Sequence, residues 1–511
     1  MAGSEIQPEA GQGRPDRAGV VLLALILVAA VANLNLSVAN VALPSIGQAF
    51  DSSQVTLNLI AVGYSLGLAA SVLYLGAIGD RYGRKLLLVL GTSLAIPMSL
   101  LAAYAPSDEV LFVARVGGGV AAGMAYPTTL ALITALWSGP ARTTSIALWS
   151  ALGGGIAALG PLVSGALLTE FDWGSVFLIS VPVMVVLLIV APLLLPEFRD
   201  PNAGRLDIYS ATLSLGSVLA LIYSLKRFAE QGLDPLAAFV FAEGLVLGWV
   251  FVRRQRRLVD PLIDVRLFRA PAFNVSLGLY MLATLVAFGA YIYIAQHLQL
   301  VLGLTPFAAG LATVPSMLGF VAGSLFVPMI VRRVSRATIM AAGLVLAAAG
   351  FYVLSLAAAS TGLGALIAGS VIYSIGISPV VILATDLIVG SAPVEKAGAA
   401  AAISETSSEL GGALGIAILG SIGIAVYRGV MAEALPAGLP SEIAVAARAT
   451  LGGAVAVAET LGEPVRGELL QVARGAFSRA FELTAILSSV IALLLAPVAG
   501  RVLRKVRREA T

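Results

Sequence analysis

Gly76-Ala77-Ile78-Gly79-Asp80-Arg81-Tyr82-Gly83-Arg84-Lys85 is a glycine-flanked cluster of charge set between two long apolar runs. Glycine tolerates a tight reversal of the chain, and mixed charges can pair across it, so the stretch reads as a sharp helix-to-helix connection locked by charge. The rest of the 511 residues sets the solvent for that hinge: 59% are hydrophobic and 12% charged, about half the roughly 25% of a soluble domain. No soluble core is large enough to hide so many apolar segments, so lipid must be part of the solvent. A charge-locked hinge in such a chain points to a membrane transport protein.

Several classes drop out on residue inventory. There is no cysteine and a single histidine, His297, which excludes disulfide frameworks and Cys/His metal centres. No G-x-x-x-x-G-K-[ST] phosphate loop occurs, so any energy must come from a gradient or a partner. No enzyme motif and no cofactor is expected. The basic run Arg253–Arg257 reads as an orientation signal and an anionic-lipid contact rather than a nucleic-acid site.

Apolar segments fall near 18–44, 54–77, 86–104, 109–136, 143–169, 174–195, 207–225, 235–252, 272–301, 307–331, 337–359, 363–391, 397–427 and 477–500. They are too long and too uniform for barrel strands, so each is expected to be a helix. One set of connections holds Arg81, Arg84, Lys85, Arg142, Arg199, Arg205, the arginines of 253–269, Arg332, Arg333, Arg336 and Lys396, and the basic C-terminus joins it. Short loops of the opposite set offer only Lys226 and Arg227. Positive charge stays inside, so both termini are expected in the cytoplasm, with a helical flap over 428–476 outside.

The two ends of the chain repeat one another. The second helix of the later half ends in Arg332-Arg333-Val334-Ser335-Arg336, a degraded copy of the basic turn. The fifth helix of each half is glycine-rich, with Gly155, Gly160-Pro161 and Gly165 against Gly411 and Gly415, a pattern that lets helices pack closely and shear. The expected fold is an all-α membrane protein of fourteen transmembrane helices: two six-helix bundles with pseudo-two-fold symmetry plus two inserted linker helices. Its parts are a disordered tail 1–17, a first bundle 18–199, a linker region 200–270, a second bundle 271–503 and a basic tail 504–511.

Gly76–Lys85 fits the loop signature G-x-[LI]-x-D-R-x-G-R-K without a gap, and through it the chain resembles the major facilitator superfamily, in its fourteen-helix drug/proton antiporter branch. The run Leu34–Pro44, Arg115 with Gly118, Gly119 and Gly123, Gly160-Pro161-Leu162-Val163-Ser164-Gly165, and Asp172-Trp173 before Val176–Pro182 are similar to further motifs of that branch. The resemblance implies proton-coupled export of amphipathic drugs. It also implies that Gly76, Asp80, Arg81, Gly83, Arg84 and Lys85 form a conformational latch, and that Arg115 assists proton movement. Arg115 read on its own is equally a structural arginine bonded to backbone carbonyls. Three positions depart from the pattern: Asn35 stands where the first-helix acid is usual, Val62 where several members carry another, and Ser164 where the fifth-helix motif usually has a glycine.

Without those acids, the proton carriers must lie elsewhere. Ionisable groups inside a span cost about 2.5–3.5 kcal/mol each, so they are retained for function. Glu405 and Glu409 share one helix face and lie about 12 and 18 Å into the core at 1.5 Å per residue. Asp386, roughly 9 Å from its own helix end, is expected to complete a three-carboxylate proton-coupling cluster. Asn33, Asn35, Asn58, Tyr64, Tyr126, Trp149, Tyr280, Tyr291, Tyr293 and Gln296 are the residues that can line a substrate cavity. The function expected is proton antiport of amphipathic small molecules across the plasma membrane by a monomer in contact with lipid. A dedicated exporter of one metabolite or lipid and a transport-inactive sensor are the competing readings.

Overall fold

The computed structural model describes residues 17–509 except 53, 200–206, 232–233, 259–260, 262, 361 and 437–438, and the side chains of Asn58 and Pro161 also fall outside the described set. Of the expected tail 1–17 only Arg17 is therefore described. Among the described residues all regular structure is helical, as expected. The elements are α1 (Ala18–Ser37), α2 (Ala39–Phe50), α3 (Gln54–Tyr82), α4 (Arg84–Ala103), α5 (Asp108–Leu136), α6 (Gly139–Ala158) and α7 (Gly160–Leu167). Then follow α8 (Ser175–Leu178), α9 (Val181–Leu194), α10 (Ile208–Gln231), α11 (Pro235–Gln255), α12 (Pro271–Gln296), α13 (Pro306–Ile330) and α14 (Arg336–Ser360). The last are α15 (Leu363–Gly390), α16 (Ala397–Ala434), α17 (Ser441–Ala449), α18 (Leu451–Ala458) and α19 (Val465–Glu509).

Among the described residues, thirteen helical stretches are long and apolar enough to cross a bilayer. The remaining expected span, 143–169, is interrupted: α6 stops at Ala158, and α7 restarts with Pro161 in its first turn. Proline has no N–H to give the preceding turn, and its ring displaces the carbonyl four residues back. Pro44 accompanies a similar break between α1 and α2, at Val38. Toward the C-terminus the helices outrun the expected boundaries. α16 continues to Ala434 and α19 begins at Val465, so the flap shrinks to the short helices α17 and α18 with their connections. α19 also takes in residues 504–509 of the expected basic tail.

Each half packs through small residues, because lipid gives helices no hydrophobic reason to associate and close backbone contact must do the work. A Cβ on Gly119 would lie 2.0 Å from the Tyr64 carbonyl, so α5 meets α3 backbone to backbone. Gly411 and Gly415 do the same for α16 against α12, where a Cβ would lie 2.3 Å from the Met281 carbonyl and 2.1 Å from that of Leu285. Gly160 abuts Ser37, whereas Gly165 has open space and makes no such approach. The halves meet along α3–α16 and α6–α13, with Gly155 of α6 beside Val321 of α13.

The inserted helices α10 and α11 pack on each other, and α10 lies against both α3 and α16. Its entry is pinned by Arg254, whose Nε and Nη2 donate to Asp207 at 2.9 and 3.2 Å. That hydrogen bonding holds the Asp207 carboxyl down at about 2, below its ordinary 3.8. A depressed carboxyl stabilises above its unfolded pKa, so this anchor is intact at neutral pH and weakens only as pH falls from about 4 toward 2.

Gly119→Val is expected to force α3 and α5 apart, at a cost on the order of 1–3 kcal/mol or more. The detergent-solubilised variant should melt well below the parent, and an unchanged melting temperature would mean that the crossing tolerates separation.

Candidate functional site

Two constellations sit where the halves touch. The first is the hinge. Gly83 adopts φ 129°, a conformation glycine alone takes without strain, and the chain reverses from α3 into α4 there. Glu197 closes the start of α4 by accepting from the Lys85 and Leu86 N–H groups at 3.0 and 3.2 Å. Behind the turn, buried Asp80 accepts from Arg84 Nε at 2.9 Å and reaches into the other half, where the N–H groups of Gly398 and Ala399 donate to it at 2.9 and 2.8 Å. An α-helix begins with N–H groups that have no partner and a partial positive charge, so a carboxylate is the fitting cap. Gly76 and Gly398 make the reach possible, since a Cβ on Gly76 would lie 2.6 Å from that of Ala402. Arg84 also donates to the carbonyls of Ala131 and Val394.

Asp386 belongs to this end, and the expected three-carboxylate cluster does not form. It is 0% exposed and held between Arg142 Nε of α6 at 2.8 Å and Arg336 Nη2 of α14 at 2.9 Å, with Thr143 Oγ1 donating at 3.0 Å. Each half thus lends one buried carboxylate to the other. Equal depth along neighbouring helices misled the sequence reading, because depth says nothing about which way a side chain faces. The buried acid itself was the usable signal, since it demands a cationic partner.

The second constellation centres on α16. Glu405, half-buried, lies close enough to Glu409, Tyr126 of α5 and Tyr280 of α12 to interact electrostatically with each. Asn33 of α1 lies beside the Tyr126 hydroxyl, and Ser408 of α16 and Thr385 of α15 lie beside that of Tyr280. Trp149 backs the site, stacked at a tilt on Tyr126 with centroids 5.2 Å apart and its Nε1 donating to Thr129. Ser408 and Thr385 escaped the sequence reading, although Ser408 sits between the two glutamates and Thr385 beside Asp386.

Other expected cavity residues lie elsewhere. Asn35 and Tyr64 are structural: the Asn35 side chain accepts from Ser180 at 3.0 Å, and the Tyr64 hydroxyl donates to the Ala32 carbonyl at 2.9 Å. Both flank Arg115, which donates to the carbonyls of Asn35 and Ile60 at 2.6 and 3.4 Å and lies over the Tyr64 ring at 5.0 Å. The carbonyl-bonded reading of Arg115 is thus the geometry seen. Tyr291, three turns along α12 from Tyr280 and on the same helix face, is 50% exposed. Tyr293 and Gln296 line a separate cavity of about 340 Å³ further along α16, with Val62, Gly420, Tyr427 and Phe477 and no charged group in its wall.

A family model described as Major Facilitator Superfamily matches residues 25–416. The chain belongs to the Major Facilitator Superfamily. It is a multi-pass membrane transporter rather than an enzyme. It is 40% identical over 492 residues to the multidrug efflux pump LfrA of Mycolicibacterium smegmatis, covering 96% of this chain and 97% of that one. The methyl viologen resistance protein SmvA of Salmonella typhimurium is 34% identical over 471 residues, 90% of this chain and 93% of its own. Among solved structures, the human organic anion transporter MFSD10 (TETRAN) aligns with TM-score 0.61 at 16% identity, over 94% of this chain and 100% of its own. A bacterial homologue of the lysosomal transporter Spinster, inward-facing and unoccupied, aligns with TM-score 0.59 at 18% identity over 97% and 99%. At those identities both show the fold alone.

Asp386→Asn should open the end that Asp80 and Asp386 close, because losing one partner of a buried ion pair costs about 3–5 kcal/mol. The chain has no native cysteine, so Ser404→Cys, placed at a residue 2% exposed, supplies a single reporter thiol. Maleimide labelling should be slow in that background and clearly faster once Asp386→Asn is added.

Proposed function

We propose that the chain exports amphipathic small molecules, cationic or neutral drugs among them, across the plasma membrane in exchange for protons. The observation that carries the reading is the Glu405/Glu409 pair, set between the halves against Tyr126 and Tyr280. A carboxylate there is neutralised either by a proton or by a cationic substrate, and the two then compete for one site. The relatives named as efflux pumps support the export direction.

In this reading the end closed by Asp80 and Asp386 faces the cytoplasm, as do both termini, and the latched state is the one open to the outside. Protonation of Glu405 and Glu409 from outside discharges substrate and removes the repulsion within the pair. The halves then rock about the site. The α16 N-terminus leaves Asp80, Arg142 leaves Asp386, and the proton is released to the more alkaline cytoplasm as the next substrate binds. Arg115 acts as a fixed cation of the first half, whose own helix-one position offers Asn35 and no titratable group. All titration is thereby concentrated on α16. A single chain suffices for the cycle. The Asn35 departure also keeps a narrower reading in play, a dedicated exporter of one endogenous metabolite or lipid with altered coupling.

In proteoliposomes with an imposed pH gradient, Glu405→Gln and Glu409→Gln should each lose most gradient-driven efflux of a lipophilic cation while still folding. Full coupling in both variants would defeat the proposal. A panel of lipophilic cations, neutral drugs and lipids in the same vesicles separates the broad exporter from the dedicated one. Asn35→Asp should add a second titrating site and shift the pH dependence of efflux without abolishing it.

A further inference from the structure

Outside the transport path, a groove of about 750 Å³ opens beside α19, where the end of α12 and the end of α14 approach it. Arg474, Arg479, Ser478 and Glu482 line one side, and Val301 and Leu470 form part of its apolar floor. Its depth in the membrane is set by α19 itself. Residues 483–500 carry no charge, from Glu482 at one end to Arg501 at the other, a stretch of about 27 Å at 1.5 Å per residue. That length matches a hydrocarbon core of about 30 Å, so Arg479 and Glu482 mark one interface and the groove lies at headgroup level.

We propose that this groove is a binding site for an anionic phospholipid, with its phosphate held by Arg474 and Arg479 and its glycerol and upper acyl portions on the apolar floor. Two arginines against one glutamate leave the lining with a net positive charge, and Arg479, whose Nη1 already donates to Glu482 at 2.7 Å, offers the phosphate its remaining N–H groups. Guanidinium is the side chain whose planar fork suits a phosphate. Size decides between sources of that phosphate: a free ion would leave most of 750 Å³ and all of the apolar floor empty. Arg474 is also partly committed. Its Nε donates to the Leu300 carbonyl at 3.0 Å, capping a π-helical turn, His297–Val301, that continues α12. Carbonyls at a helix end lack partners and favour a cation, and the terminal amino groups of the same guanidinium remain for the lipid. A bound headgroup therefore braces the π-turn, which leads directly back to Gln296 and Tyr293 in the wall of the 340 Å³ cavity.

The test uses the purified full-length chain in detergent, with no gradient, so its outcome is independent of the export reading. Short-chain phosphatidylglycerol, phosphatidylcholine and inorganic phosphate are titrated separately, and binding is read by native mass spectrometry and by the shift in melting temperature. Phosphatidylglycerol should bind and stabilise, phosphatidylcholine less, and inorganic phosphate at equal concentration not at all. Arg474→Gln/Arg479→Gln should weaken the phosphatidylglycerol event about tenfold, while Arg253→Gln/Arg256→Gln, in the basic run after α11, leaves it unchanged. Because Arg474 also caps a helix end, Arg479→Gln alone decides if the double variant misfolds: it should melt normally without lipid yet lose part of the lipid-induced shift. Parent-like binding by Arg479→Gln, or equal protection by inorganic phosphate, overturns the proposal.

Discussion

A helix that begins inside a membrane protein carries unpaired N–H groups into a place where water cannot reach them easily. For α16 the solution is a carboxylate from the other half of the molecule, Asp80 accepting from Gly398 and Ala399. The arrangement of the hinge follows from this one need. Glycine is required at 76 and 398 so that α3 and α16 come close enough, glycine at 83 so that the chain turns away at once, and Arg84 so that the buried carboxylate is neutralised. A charge buried with good partners is not itself a large source of stability. Its value here is that removing either partner leaves an unpaired group, so the contact is either made or fully broken.

The two halves solve the same problem with different parts. In the first, the acid sits at the end of its second long helix and caps a backbone. In the second, Asp386 sits late in α15 and meets side chains, Arg142 across the interface and Arg336 within its own half. The basic sequence 332–336 at the corresponding hinge is degraded as a motif, yet its last arginine still serves a carboxylate. Both contacts close the same end of the bundle, whereas the glutamates of α16 face the interior.

Sequence reading caught what depends on pattern along the chain. The apolar runs gave the helices, and the spacing of glycines and charges gave the hinge. What it missed depends on direction around a helix. Tyr291 and Tyr293 lie two residues apart, so their side chains diverge by about 200°, and Tyr293 packs against Phe477 and Phe481 while Tyr291 stays half exposed on another face of α12. Asp386 failed for the same reason, and its partner Arg142 lies 244 residues away. Breaks inside apolar runs were visible as Pro44 and Pro161, but hydropathy alone passes over them.

The glutamates and the capped terminus are carried by one continuous rod. Gly398 and Glu405 are seven residues apart on unbroken α16, about 10 Å along its axis. A rigid shaft of that length transmits rotation, so a reshaped acid pocket applies torque to its own bearing at Asp80. In the proposed cycle, loading of the pocket and opening of the end held by Asp80 would then be geared together by backbone stiffness alone, with no separate messenger between them.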